Sequence, residues 1–491
     1  MALTGTTLLP DDTIADFHTG FARLRTDFDV PGPHPVEAEV AAEAAAARPF
    51  DVVSSTVSSP GRWQHVDRTD IDFRTLDPAS STDLDQAFAV SLAGDDVLLH
   101  YAIADVGWFV RPGDPIDREA WKRGSTVYLP DGRAGLHPER IAEDAGSLLP
   151  GSPKPAIVFT VRVASDGGVR LDGTERAMIR NRAKLAYATV TPEDLPAAFP
   201  ELSRRIEIAE AARGAGRIQW PEQEVVRVDG GFDLRFRPRN DAENQNAAMS
   251  LATNMAIADA LWEAETGLFR TMPPVDDRHV RRLRHTAHAF GLEWPQGMSL
   301  GVFENSLPRD DQRTSAFQLA IRRAAGGASY TPYSEFARAG GPENGGVKAG
   351  KPWHSALAAT YVHATAPLRR LADRYVIEAT LAISNGRDVP DEVEAAFAEL
   401  PGAMQRGSTV ANRVDRAAID LAEAILLQGR VGEVFDAVVT DEDDRGARLQ
   451  ISDPAVVSRV VARNVDPGDD LRVKLIGVDV DERRIDFERV G

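Results

Sequence analysis

The sequence predicts an α+β fold that ends in a small β-barrel. Alternating apolar runs at Ala87–Leu92, Val97–Ala104, Ala156–Val163 and Arg170–Met178 read as strands, and 203–217, 242–266 and 391–428 carry helical spacing. From Arg430 onward five short alternating segments separated by turns fit within about sixty residues, the pattern of an OB-type barrel. With 491 residues, 43% hydrophobic and 27% charged, the chain has material for about three structural units and a large core.

Several function classes fall away at once. There is no run of 18 apolar residues, so no membrane span is expected. The first residues lack a basic segment followed by a long apolar one, so a cytoplasmic location is expected. The chain has no cysteine, which excludes disulfides, thiolate metal sites and cysteine nucleophiles. A net charge of −19 argues against a protein that coats nucleic acid, but a local basic channel remains open. Positive charge does bunch, at Arg176–Lys184, Arg278–Arg284, Arg322 with Arg323, and Arg369–Arg374. Any one bunch reads most simply as a solvated face.

In chain order, residues 1–61 form a short, partly helical accessory segment, with helical spacing at Ile14, Phe17, Phe21 and Leu24 and a second Ala/Glu-rich stretch after Pro35. Residues 62–395 form the main domain, 396–429 a helical connection and 430–491 the barrel. Arg180, Arg182 and Lys184 alternate after the D-G-G hairpin, so on a strand they share one face and could line phosphates. Gly345, Gly350 and Lys351 imitate a P-loop, but Pro352 stands where a Ser or Thr would reach a metal and no strand precedes it, so that motif is rejected.

The chemistry concentrates between Arg68 and Val90. Asp77, Asp83 and Asp85 crowd a loop made irregular by Pro78 and the small residues after it. Carboxylates this close repel, and a hard oxygen-seeking ion, Mg²⁺ or Mn²⁺, is the natural offset. An isolated D-x-D would read as a solvated acidic turn. Here D-P-x-x-x-x-D-x-D leads into an apolar strand, and Y-V-H-A-T-A-P-L-R-R-L-A-D-R-Y-V follows at residues 361–376. Together they resemble the signatures of the ribonuclease II and ribonuclease R (RNB) exoribonuclease family.

The resemblance implies an RNB-type catalytic domain, a mixed sheet with surrounding helices, followed by an OB-type RNA-binding barrel. It implies hydrolytic 3′-to-5′ removal of nucleoside 5′-monophosphates from single-stranded RNA; a monomer is expected. Asp77, Asp83 and Asp85 match three of the family's four clustered Asp residues, and Gln86 occupies the fourth position. A Gln carbonyl can ligate Mg²⁺ without adding negative charge, so weaker metal binding is expected. Arg369 stands where the family faces the scissile phosphate, with Arg370 beside it; Tyr128 and Tyr187 match its base-stacking aromatics.

Read from the residues alone, His363 serves a phosphate or the packing equally well. Thr365 and Pro367 suggest a helix start whose free N–H groups suit a phosphate. Ala248 replaces a family Glu, with Asn244 one turn earlier as a weak substitute. The family often carries two RNA-binding barrels before its catalytic domain, an arrangement from which residues 1–61 depart. Two alternatives stay open: a catalytically weak or inactive RNB-fold protein that binds RNA 3′ ends, motivated by Gln86 and Ala248, and a D-x-D phosphatase or glycosyltransferase, which the 361–376 segment disfavours.

Overall fold

The computed structural model describes residues 11–57, 59–215, 222–228, 231–237, 240–308, 312–339, 350–443, 446–462 and 464–490. At its centre is a mixed sheet ordered Asp51–Val53, Gln64–Asp77, Gln86–Ala93, Asp96–Ala104, Lys154–Val163 and Val169–Ala186. Its last strand returns to pair in parallel with Gln64–Asp77, so the sheet closes on itself. That pairing sets Asp77 opposite Ala186, and both strands end at one rim.

Alternation along the strands divides their side chains between two faces. Leu76, Phe88, Leu99, Tyr101 and Phe159 pack on the face that carries helices Asp241–Glu263 and Leu371–Ser384. Phe73, Ala87, Ala102 and Val158 pack on the other, with Trp108, Phe109 and Ala42 and Ala45 of helix Val36–Ala46. Asn240 starts the Asp241–Glu263 helix with a capping box: its side chain accepts from Glu243 N at 2.9 Å, and the Glu243 carboxylate accepts from Asn240 N at 2.8 Å.

The first described helix, Asp11–Asp27, is built into the body. Its expected stripe, Phe17, Phe21 and Leu24, is fully buried. The Phe17 and Phe21 rings lie 5.3 and 5.1 Å from that of Phe232, on the hairpin Glu222–Val228 and Gly231–Arg237. The same cluster holds Leu421 of the long helix Asp391–Leu427. The five tail segments close into a barrel, as expected, in the order Val434–Asp443, Gly446–Ile451, Val456–Val460, Arg484–Arg489 and Asp470–Asp479. Glu423 ties the long helix to hairpin and barrel by accepting from Gln223 Nε2 at 2.7 Å and Val457 N at 2.9 Å.

Some boundaries differ from expectation. The helix read at 203–217 runs Phe199–Arg213, and 216 and 217 lie outside the described residues. The helix after Pro367 begins only at Leu371, since the 366–370 stretch turns back through Arg370 N donating to Ala366 O. Of the P-loop imitation, 340–349 lies outside the described residues, while Lys351 pairs with Asp259 at 2.5 Å. Among the described residues no helix is long and apolar enough to cross a membrane.

Candidate active site

The acidic loop is held by its surroundings before any ligand arrives. Leu84 N donates to Ser147 Oγ at 2.9 Å, Ser147 Oγ donates to Thr82 O at 2.7 Å, and Lys184 Nζ donates to Ala79 O and Ser81 O at 2.8 and 2.6 Å. Lys184, expected beside phosphates, therefore closes the loop from behind. The loop ends at Asp85, whose carbonyl accepts from Ala104 N, and the strand Gln86–Ala93 begins at once.

The two distant motifs meet here. Leu368 N donates to Asp85 Oδ1 at 2.8 Å, and Arg369 Nε lies 3.3 Å from Asp85 Oδ2. Burial pushes the Asp85 carboxyl up to about 7, against the pull of Arg369 and the Leu368 N–H. Burial also pushes Asp77 up to about 6, with Asp83 adding to the rise while Arg369 and Lys184 oppose it. Asp77 Oδ2 is buried without a hydrogen-bond partner, an uncommon state for a carboxylate oxygen. An orphaned hard-oxygen donor of this kind fits Mg²⁺ or Mn²⁺.

The other two expected ligands have their oxygens engaged. Asp83 pairs with Arg133 at 2.8 Å and accepts from Tyr128 OH at 2.9 Å. Gln86 Oε1 accepts from Tyr101 OH. Among the described residues no group of three or more acidic or histidine side chains is poised to hold an ion as it stands.

The turn that presents Arg369 is a polar knot. Asp373 accepts from Thr365 N at 3.0 Å and Ala366 N at 2.8 Å, and Arg370 grips the same carboxylate through Nε and a terminal nitrogen. The backbone donors expected to be free for a phosphate are thus taken by Asp373. Thr365 Oγ1 lies 2.8 Å from Ser250 Oγ, and His363 Nδ1 lies 2.7 Å from Tyr330 OH. Burial and the charges of Arg370 and Arg270 hold His363 well below the usual histidine range, so it is neutral.

Above this floor opens a cavity of about 1130 Å³, bounded by Tyr128, Tyr187 and Arg369, the hairpin, the long helix and the barrel. Tyr187 follows the strand end paired with Asp77, and its hydroxyl accepts from Asn246 Nδ2 at 2.7 Å. Arg323, Arg416 and Arg448 line the far wall. Burial and the neighbouring Arg323, Arg459 and Arg416 push Arg448 down to about 10, while Arg323 pairs with Asp441 and Arg416 with Asp420. Arg180 and Arg182 do not line the cavity; they donate to Gly151 O and Thr69 O. Nor does Ala248, which packs against the core, or Asn244; Glu243, Asn246 and Ser250 of that helix do. Asp105 is buried against Arg176 at 2.9 Å and caps the following turn at Trp108 N.

Sequence reading missed Arg133, which has no motif around it, and Tyr101. The latter was legible: the tight hairpin pairs Ala93 with Asp96, hence Gln86 with Ile103 and, on the same face diagonally, Tyr101.

Residues 65–383 match the RNB domain, about two thirds of the chain. The chain belongs to the RNB family. In this RNB protein residues 433–490 match the RNase II-type exonuclease C-terminal S1 domain, which is the closed barrel. It is 26% identical over 466 residues to Ribonuclease R of Aquifex aeolicus, covering 85% of this chain and 63% of that one. To Ribonuclease R of Escherichia coli it is 25% identical over 490 residues, covering 87% and 57%. The RNB chain thus spans about three fifths of these curated relatives. Its fold is that of RNase R from Mycoplasma genitalium, solved in complex with ribose-methylated single-stranded RNA: TM-score 0.81 at 18% identity, covering 97% of this chain and 78% of that one.

Proposed function

We propose that the chain is a metal-dependent hydrolytic exoribonuclease that works from the 3′ end of single-stranded RNA and releases nucleoside 5′-monophosphates. One observation carries this reading: Asp85 is in direct contact with the Leu368 backbone N–H and the Arg369 side chain, far away in sequence, at the floor of a cavity lined by several arginines. Relatives named Ribonuclease R support it.

In this reading Mg²⁺ or Mn²⁺ is held by Asp77 and Asp85, and when bound supplies counter-charge and an activated water. Arg369 stays charged at any working pH and faces the terminal phosphate, where it stabilises the charge that grows in the transition state. Tyr128 and Tyr187 offer faces to the last bases without regard to sequence. Asp83 orients the Tyr128 hydroxyl and the loop, while His363, Thr365 and Arg370 hold the turn behind Arg369. Arg323, Arg416 and Arg448 follow the RNA backbone into the cavity. The same reading takes the protein as a cytoplasmic monomer.

A second reading is a catalytically weak or inactive RNB-fold protein that binds RNA 3′ ends. What favours it is Gln86, neutral and with its carbonyl occupied by Tyr101. Incubation with a 3′-overhang RNA and Mn²⁺ separates the two. Mononucleotide release that disappears in Asp85→Asn supports hydrolysis; binding without release under both metals refutes it and leaves the second reading.

A further inference from the structure

Gln86 was expected to turn its carbonyl to a metal, yet the hydrogen bonds around it run the other way. The chain of bonds starts at Asn254, whose orientation is set because its Oδ1 accepts from Ala364 N at 2.9 Å. Its Nδ2 therefore donates, to Thr365 Oγ1 at 3.2 Å and Ser250 Oγ at 3.3 Å. Thr365 Oγ1 and Ser250 Oγ lie 2.8 Å apart, and Ser250 also interacts with the Tyr101 phenol. The Tyr101 phenol donates to Gln86 Oε1. With Oε1 accepting from Tyr101, the Gln86 amide has only Nε2 left to offer. No other bond holds the Gln86 side chain among the described residues, and Gln86 lines the cavity beside Tyr187 and Arg369.

We propose that Gln86 meets the RNA as a hydrogen-bond donor, through Nε2 to an oxygen of the terminal nucleotide's phosphate, and that Tyr101 is the positioning residue that keeps the amide turned that way. The fourth position of the acidic cluster then serves substrate rather than metal. Only Asp77 and Asp85 are left to hold an ion. This rests on the reading of the cavity as the seat of an RNA 3′ end.

The test separates RNA contact from metal contact. Binding of 5′-fluorescein-labelled oligoadenylate is followed by anisotropy in EDTA, for wild type, Gln86→Met, Tyr101→Phe and the double variant; Mn²⁺ affinity is measured by calorimetry without RNA. Methionine matches the length of Gln without donor or acceptor. A lost hydrogen bond to a charged phosphate predicts metal-free RNA binding about ten-fold weaker in Gln86→Met, with Mn²⁺ affinity unchanged. Tyr101→Phe weakens RNA binding about three-fold on its own and not at all in the Gln86→Met background, an interdependence that a purely structural role for Tyr101 does not produce. Metal-free RNA binding equal to wild type in Gln86→Met, or a loss of Mn²⁺ affinity instead, overturns the proposal. An additive Tyr101→Phe effect overturns its positioning part. A wild-type protein that binds no RNA in EDTA or Mn²⁺ sinks the underlying reading, and this proposal with it.

Discussion

Replacing Asp85 by Asn should make the metal-free protein more stable at alkaline pH, at the expense of function. The Asp85 side chain is 4% exposed, and its carboxyl is raised from 3.8 to about 7, chiefly by burial. Below about pH 4 it is protonated in folded and unfolded chains alike and contributes no difference. Between pH 4 and 7 the unfolded chain sheds the proton and the folded chain keeps it, so stability falls as pH rises, and above pH 7 the whole penalty is present. A rise of roughly three units corresponds to about 4 kcal/mol. Asn keeps the acceptor for Leu368 N and removes the charge.

Urea denaturation in EDTA, followed by the fluorescence of the seven tryptophans, should therefore show a gain of about 2–4 kcal/mol at pH 8 that vanishes at pH 4. Saturating Mn²⁺ should shrink the difference, because wild type gains more from the ion. A variant no more stable than wild type at pH 8, or a gain independent of pH, refutes the claim that Asp85 is held as a strained carboxyl awaiting a cation.

Three further outcomes are expected. Arg369→Ala should lower kcat on single-stranded RNA by about 100-fold or more and move the Asp85 carboxyl further upward, so that the acidic limb of the rate profile shifts to higher pH; an unchanged profile counts against the contact. Mn²⁺ binding must displace protons from groups near 6 and 7, so calorimetry in buffers of different ionisation enthalpy should report net proton release at pH 6 that disappears by pH 8.5. Phe21→Ala empties a fully buried site between Phe17, Phe232 and the long helix and should cost about 3–5 kcal/mol; a loss under about 1 kcal/mol would mean the first helix is a loose appendage.

Much of the arrangement was legible one stretch at a time. The stripe Phe17, Phe21 and Leu24 announced a helix with one buried face, and the tail's alternation announced a barrel, because both follow from spacing within a few residues. The D-x-D loop announced a crowded acidic turn, but not that Asp83 would be drawn to Arg133 and Tyr128. The helix start after Pro367 was placed too early for a physical reason: Thr365 and Pro367 are residues that helices favour at their first turn, but Asp373 reaches back and takes the N–H groups of 365 and 366.

By its own order of residues, then, the chain determined where its strands, helices and acidic loop lie. Only the tertiary structure decided which oxygens remain available. Arg133 claims Asp83, Tyr101 claims Gln86, Leu368 and Arg369 share Asp85, and Asp77 alone is left with a buried free oxygen. Covalent neighbours set local conformation, whereas a buried polar atom bonds whichever partner the closed sheet and its helices bring within about 3 Å, and no local spacing encodes that choice.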